Sequence, residues 1–159
     1  MATRKNILKV DPFEDLRVFG IATTKRDYVL AWHMNEKLGL DLKRLDNLRQ
    51  EEGEDTSGFS FYFYDEGENQ NTFNLLSNNG DGQILLKMPA RIDFFLIIRN
   101  PVSETRIATI INTIRNISGV LLAFELELAK HKQLDTILEE LEFHEMSIQK
   151  KQQRKHHRN

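Results

Sequence analysis

The chain has 159 residues, 40% hydrophobic and 29% charged, with a net charge of −2 and no cysteine. That length fits one ordinary domain, and the lack of thiols excludes a disulfide scaffold, a thiolate zinc site and thiol catalysis. The longest apolar runs, Phe94-Phe95-Leu96-Ile97-Ile98 and Val120-Leu121-Leu122-Ala123-Phe124, fall far short of the roughly 18–20 residues of a membrane-spanning helix. The polar start Met1-Ala2-Thr3-Arg4-Lys5-Asn6 leads into no signal-peptide core, so the expectation is a cytoplasmic protein without membrane contact. The charge is unevenly placed. Five of the 22 Lys and Arg and none of the 24 acids fall in residues 149–159, so that residues 1–148 carry −7 and the tail +5.

In chain order, residues 16–23 read as a short strand with Leu16, Val18, Phe19 and Ile21 as its apolar members. Thr24 with Asp27 three positions later resembles a capping box, which predicts a helix start there. Tyr28, Ala31, Trp32 and Asn35 form one stripe of this helix and Leu30, Met34 and Leu38 the next, a broad apolar face expected to pack on the core. Gly39 suits the left-handed cap. Residues 40–45 alternate as a short strand, residues 50–58 read as an acidic loop, and residues 58–64 are a strand with Phe59, Phe61 and Phe63 on one face. Residues 65–69 are turn-forming. Residues 72–78 then return as the antiparallel partner, and residues 83–87 follow as a further extended piece after the turn Asn79-Gly80-Asp81-Gly82.

The nearly continuous apolar run of residues 92–99 predicts a strand buried on both faces in the middle of the sheet. Pro101 stops it, and Ser103 caps a helix with Glu104 in its first turn. Ile107, Ile110, Ile111 and Ile114 give that helix one clean stripe. Gly119 introduces a last strand, Val120–Leu126. Leu134, Ile137, Leu138, Leu141 and Ile148 mark an amphipathic C-terminal helix running into the basic tail. The expected fold is α+β: a mostly antiparallel sheet with two helices packed on one face, split-βαβ-like, plus an appended C-terminal helix. The expected division is a single domain over residues 1–138 and a helical extension with a basic tail over residues 139–159.

Signals for chemistry are sparse. His144-Glu145 opens like a zinc-protease helix, but Ile148 stands where the second histidine is needed, and no cofactor or metal site is expected. There is no phosphate loop and no nucleophile elbow, and Gly80-Asp81-Gly82 reads as a turn because it opens no helix. The acidic pairs Glu51-Glu52, Glu54-Asp55 and Glu139-Glu140 sit where nothing raises a pKa, so no catalytic residue is assigned. Asp93 interrupts an apolar strand. A buried charge needs a partner, and Asp93 either touches a ligand or sits at the strand's mouth bonded to loop N–H groups or an arginine. Tyr28, Trp32 and Asn35, with Asp93, are the speculative ligand-binding residues; the alternative for the aromatic stripe is core packing. Lys150, Lys151, Arg154, Lys155 and Arg158 are the candidate nucleic-acid contacts, opposed by the acidic body and by the lack of interleaved aromatics.

The motif Asp27-Tyr28-x-Leu30-x-Trp32-x-x-Asn35-x-x-Leu38-Gly39-x-Asp41-Leu42, the aromatic strand at 59–64, Leu76-Ser77-Asn78, Ile92-Asp93-Phe94-Phe95-Leu96-Ile97-Ile98 and Val120-Leu121-x-Ala123-Phe124-Glu125-Leu126 together resemble the bacterial IPExxxVDY family over residues 14–135. Ile92-Asp93-Phe94 matches the VDY part, whereas Leu86-Lys87-Met88 replaces IPE. The resemblance implies a small bacterial cytoplasmic protein and transfers no catalytic residue. The expected function is a non-enzymatic interaction or regulatory module that binds a protein partner or a second copy of itself. The alternatives are an RNA-associated protein using the tail and, by analogy of fold alone, a small-ligand sensor.

Overall fold

The computed structural model describes residues 15–52, 55–68 and 70–157. In chain order they form β1 (Arg17–Thr23), α1 (Asp27–Leu38), β2 (Lys43–Glu52), β3 (Asp55–Asp65), β4 (Thr72–Ser77), β5 (Asn79–Gly80), β6 (Gln83–Ile84), β7 (Phe94–Arg99), α2 (Glu104–Arg115), β8 (Val120–Leu126) and α3 (Gln133–His157). Six strands make one sheet in the order β2-β3-β4-β7-β1-β8, with every neighbouring pair antiparallel. The class is α+β. β1 and β4 flank β7 and are joined through α1, while β7 and β8 flank β1 and are joined through α2. These are two interleaved split-βαβ units, widened by the inserted β2–β3 hairpin.

β7 explains its own apolar sequence. It lies inside the sheet between β4 and β1, and successive side chains point to opposite faces. Phe94, Leu96 and Ile98 join the core beneath α1 and α2, which also holds Leu30, Met34, Ile107 and Ile114. Phe95 and Ile97 join the other core with Phe59 and Phe61, and Phe63 packs at its margin. That second face is covered by α3, through Leu134, Ile137, Leu138, Leu141 and Ile148. The protein is therefore three layers deep, with two helices on one side of the sheet and the C-terminal helix on the other. The expected boundary between residues 138 and 139 falls inside α3, and Leu141 and Ile148 beyond it are core residues.

Several local expectations hold. Ser103 accepts the Arg106 N–H at 3.1 Å to cap α2, and all four isoleucines of its stripe are buried. Gly39 ends α1 at φ 67°, the left-handed conformation that favours glycine. Asp81 (φ 51°) and Gly82 (φ 80°) turn the β5–β6 hairpin, as expected of a turn.

Others are corrected. α1 begins at Asp27, after the extended residue Arg26, with no side-chain cap bond. Just before the helix, Thr23 and Thr24 are tied to the loops before β7 and β8. The Thr23 N–H donates to Asp93 Oδ2 (2.9 Å), its hydroxyl donates to the Gly119 carbonyl (2.8 Å), and the Thr24 N–H donates to the same carbonyl (3.2 Å). Residues 40–42 are not a strand. Instead Asn35 Oδ1 accepts the Leu42 N–H (2.8 Å) and its Nδ2 donates to the Leu42 carbonyl (3.2 Å), so that a side-chain amide replaces a strand neighbour. β2 then runs to Glu52 and pairs with β3 up to Asp55, so strand occupies most of the expected loop at 50–58; residues 53 and 54 lie outside the described residues. A hairpin at the sheet margin tolerates the charged composition that had suggested a loop. Of residues 83–87, only Gln83–Ile84 are strand.

Candidate functional site

Of the four residues singled out as ligand-binding, Asn35 and Asp93 are engaged with backbone groups. Asn35 is in the last turn of α1 and is spent on the Leu42 backbone, whereas Asp93 reaches Thr23, before the helix begins. Asp93 Oδ1 also accepts from Asn79 Nδ2 at 3.3 Å, and Arg91 Nε lies 3.1 Å from Oδ2. Its backbone accepts from the Asn78 N–H and donates to the Ile21 carbonyl, both at 2.8 Å. Asp93 thus ties β1 to the loop before β7, and Asn35 and Asp93 act at opposite ends of α1.

Tyr28 and Trp32 overturn the core-face expectation. They are 58% and 59% exposed, while Ala31 of the same stripe and Leu30 and Met34 of the neighbouring one are buried. Two polar contacts accompany this rotation of the helix, beside the packing of Leu30 and Met34 in the core. Asp27 Oδ2 accepts the Tyr62 hydroxyl proton at 3.1 Å and faces Arg44, and Asn35 holds the other end. Burial, with the Asp27 charge beside it, pushes the Tyr62 hydroxyl up to about 12. The result is an aromatic pair one turn apart on the outer face, the Trp32 ring meeting His33 edge-on at 5.0 Å.

A second exposed apolar pair lies on α3, where Phe143 is 73% and Met146 55% exposed. Phe143 borders a groove of about 420 Å³ between α3 and β2, whose other walls include Leu48, Arg49, Glu139 and His144. His144 is held there by the Asp46 carbonyl at 2.6 Å and by an edge contact with Phe61. Nothing in the local sequence singles out Phe143 or Met146, although both stand off the buried stripe of α3.

The tail residues are partly described. Lys150 and Lys151 lie on exposed turns of α3 beyond Ile148, and Lys151 Nζ is 3.7 Å from Asp46. The backbone at positions 154 and 155 continues the helix, and Arg158 lies outside the described residues.

Two polar clusters escaped the sequence reading. Under α3, Glu145 Oε1 pairs with Arg99 Nη2 and accepts from Asn74 Nδ2 at 2.8 Å, while Arg99 Nη2 also donates to Asn74 Oδ1 at 2.7 Å. Burial pushes the Glu145 carboxyl above its usual range, against the pull of Arg99 and Asn74. At the start of α2, Arg106 donates to both oxygens of Glu66 and to Asn71 Oδ1, at 2.7–2.8 Å, and lies over the Phe73 ring. Hydrogen bonding to Arg106 holds the Glu66 carboxyl below its usual range. Both carboxylates are turned to arginines in structural contacts. The signal for the first was present: Glu145 occupies the stripe between Leu141 and Ile148.

Among the described residues no group of three or more His, Asp and Glu is placed to hold a metal ion, and no helix is long and apolar enough to cross a membrane. No family model, curated protein or solved structure matches the chain.

Proposed function

We propose that the protein is a non-enzymatic protein-interaction module of the bacterial cytoplasm, with the outer face of α1 as its contact surface. The observation that supports this reading is the exposure of Tyr28 and Trp32 on a helix whose inner face is locked into the core. Tyrosine and tryptophan dominate binding hot spots because they bury large areas while losing few rotamers. Asn35 and Asp93, the polar groups a small ligand would have needed beside them, serve the backbone instead. The resemblance of residues 14–135 to the IPExxxVDY family supports the bacterial, cytoplasmic setting.

Purification of the tagged chain from a bacterial lysate, run in parallel with a Tyr28→Ala/Trp32→Ala variant, tests the reading. The expected result is a bound protein that the variant loses while its circular dichroism is unchanged. Trp32 is the sole tryptophan, so its emission shifts to the blue when that protein is titrated back. Equal recovery of every bound protein by both forms overturns the reading. Retention of RNA alone, abolished by removing residues 149–159, moves the function to the tail.

A further inference from the structure

α3 carries the charge asymmetry of the whole chain within one helix. Residues 133–145 hold Asp135, Glu139, Glu140, Glu142 and Glu145 and no Lys or Arg; residues 146–157 hold Lys150, Lys151, Arg154 and Lys155 and no acid. The helix is 25 residues long, about 37 Å at 1.5 Å per residue. It continues to His157 beyond Ile148, the last of its described residues in the core. At the crossover from acid to base, its outer face presents Phe143 and Met146, the two exposed large apolar side chains of this helix among the described residues.

We propose that this face is a self-association surface, on which two copies of the chain pair through α3, antiparallel about a twofold axis. The charge pattern selects both the occupant and the direction. A parallel pair would set acid on acid and base on base, whereas an antiparallel pair sets the acidic half of each copy against the basic half of the other. The register follows from the apolar pair. Setting Phe143 opposite Met146 of the second copy centres the axis between positions 144 and 145, and the same register brings Glu139 opposite Lys150 and position 135 opposite position 154. Glu139, Phe143, Met146 and Lys150 are all exposed on the helix, at the spacing of three and four that places them along one stripe. One surface supplies both halves of the contact, which is the requirement of an isologous dimer.

Sedimentation velocity over a concentration series, at low and high salt, is the test. The wild-type chain is expected to dimerise, less strongly as salt rises, because exposed charge pairs are screened. Phe143→Ser/Met146→Ser is expected to be monomeric with unchanged circular dichroism, since neither side chain contributes to the core. Glu139→Lys and Lys150→Glu are each expected to weaken the dimer about tenfold, because two symmetry-related pairs turn repulsive. An equimolar mixture of those two variants restores it, as every pair across the axis again has opposite signs. A monomer at all concentrations overturns the proposal, and so does a dimer that none of these substitutions alters. The α1 surface plays no part in this experiment, so its outcome leaves the reading of Tyr28 and Trp32 independent.

Discussion

Arg99, the last residue of β7, and Glu145, on α3, form an ion pair between sheet and helix, and Asn74 on β4 is bonded to both. Arg99 Nε is itself buried with no hydrogen-bond partner among the described residues. The pair adds a directional contact to the largely apolar surface by which α3 covers the sheet, beside the His144 bond to the Asp46 carbonyl.

Arg99→Met leaves the Glu145 carboxylate buried beside Asn74 alone, and is expected to cost about 3–5 kcal/mol at neutral pH. The sign of its pH dependence follows from the raised carboxyl. A carboxyl raised in the folded state gives stability below its unfolded value that is lost as pH rises through the folded one. Removing Arg99 raises it further, so the variant regains part of its stability on acidification. Arg99→Met/Glu145→Leu is expected to return close to wild type, as apolar replacement of a buried pair often does. Urea unfolding at several pH values measures both.

Glu66 has the opposite sign. Its carboxyl is lowered by Arg106, so its contribution is present above the unfolded value and lost as pH falls through the folded one. Because Arg106 is 36% exposed, Glu66→Gln is expected to cost only about 1 kcal/mol at neutral pH. The variant's acid unfolding curve should be correspondingly flatter than that of the wild type.

Asn78 is expected to be among the most sensitive polar positions. Its Oδ1 accepts the Leu86 N–H at 2.8 Å, and its Nδ2 donates to the carbonyls of Leu86 and Ile92 at 3.0 and 2.9 Å, all in the interior. Asn78→Ala strands one N–H and leaves two carbonyls short of a donor, a loss of about 3 kcal/mol. Asn78→Asp, which keeps the acceptor and removes the donor, should be no better. Thermal unfolding of the two variants checks this.

Leu30→Ala and Trp32→Ala, two positions apart on α1, should separate cleanly. The first empties a fully buried site and is expected to cost about 2–5 kcal/mol, while the second removes an exposed ring and should stay within about 0.5 kcal/mol of wild type. Chemical denaturation followed by far-UV circular dichroism suits both variants, because Trp32→Ala has no tryptophan signal.

Much of the architecture is legible in the residues themselves. The stripe Ile107, Ile110, Ile111, Ile114 behind Ser103 specifies α2, and the uninterrupted apolar run before Pro101 specifies a central strand, because only a strand covered on both faces has no use for alternation. The aromatic alternation of β3 sorts Phe59, Phe61 and Phe63 to one face. Legibility fails where a side chain takes over the work of a backbone. Asn35 substitutes for a strand beside Leu42, Asn78 does the same beside Leu86, and Thr23 and Thr24 bond to Asp93 and Gly119 ahead of α1. Such bonds span 7 to 96 positions of chain, and local composition carries no trace of them.

By itself the sequence determined the order of strands and helices, the burial of β7 and the separation of an acidic body from a basic end, since each of these depends on spacing or composition along the chain. Tertiary structure alone decided which stripe of α1 faces inward, because Tyr28 and Leu30 lie on adjoining stripes and the choice rests on the packing of Leu30 and Met34 in the core together with the Tyr62–Asp27 and Asn35–Leu42 bonds. It also decided that α3 covers the second face of the sheet. A helix stripe records that it must be buried; what buries it depends on which apolar surface the other helices leave open.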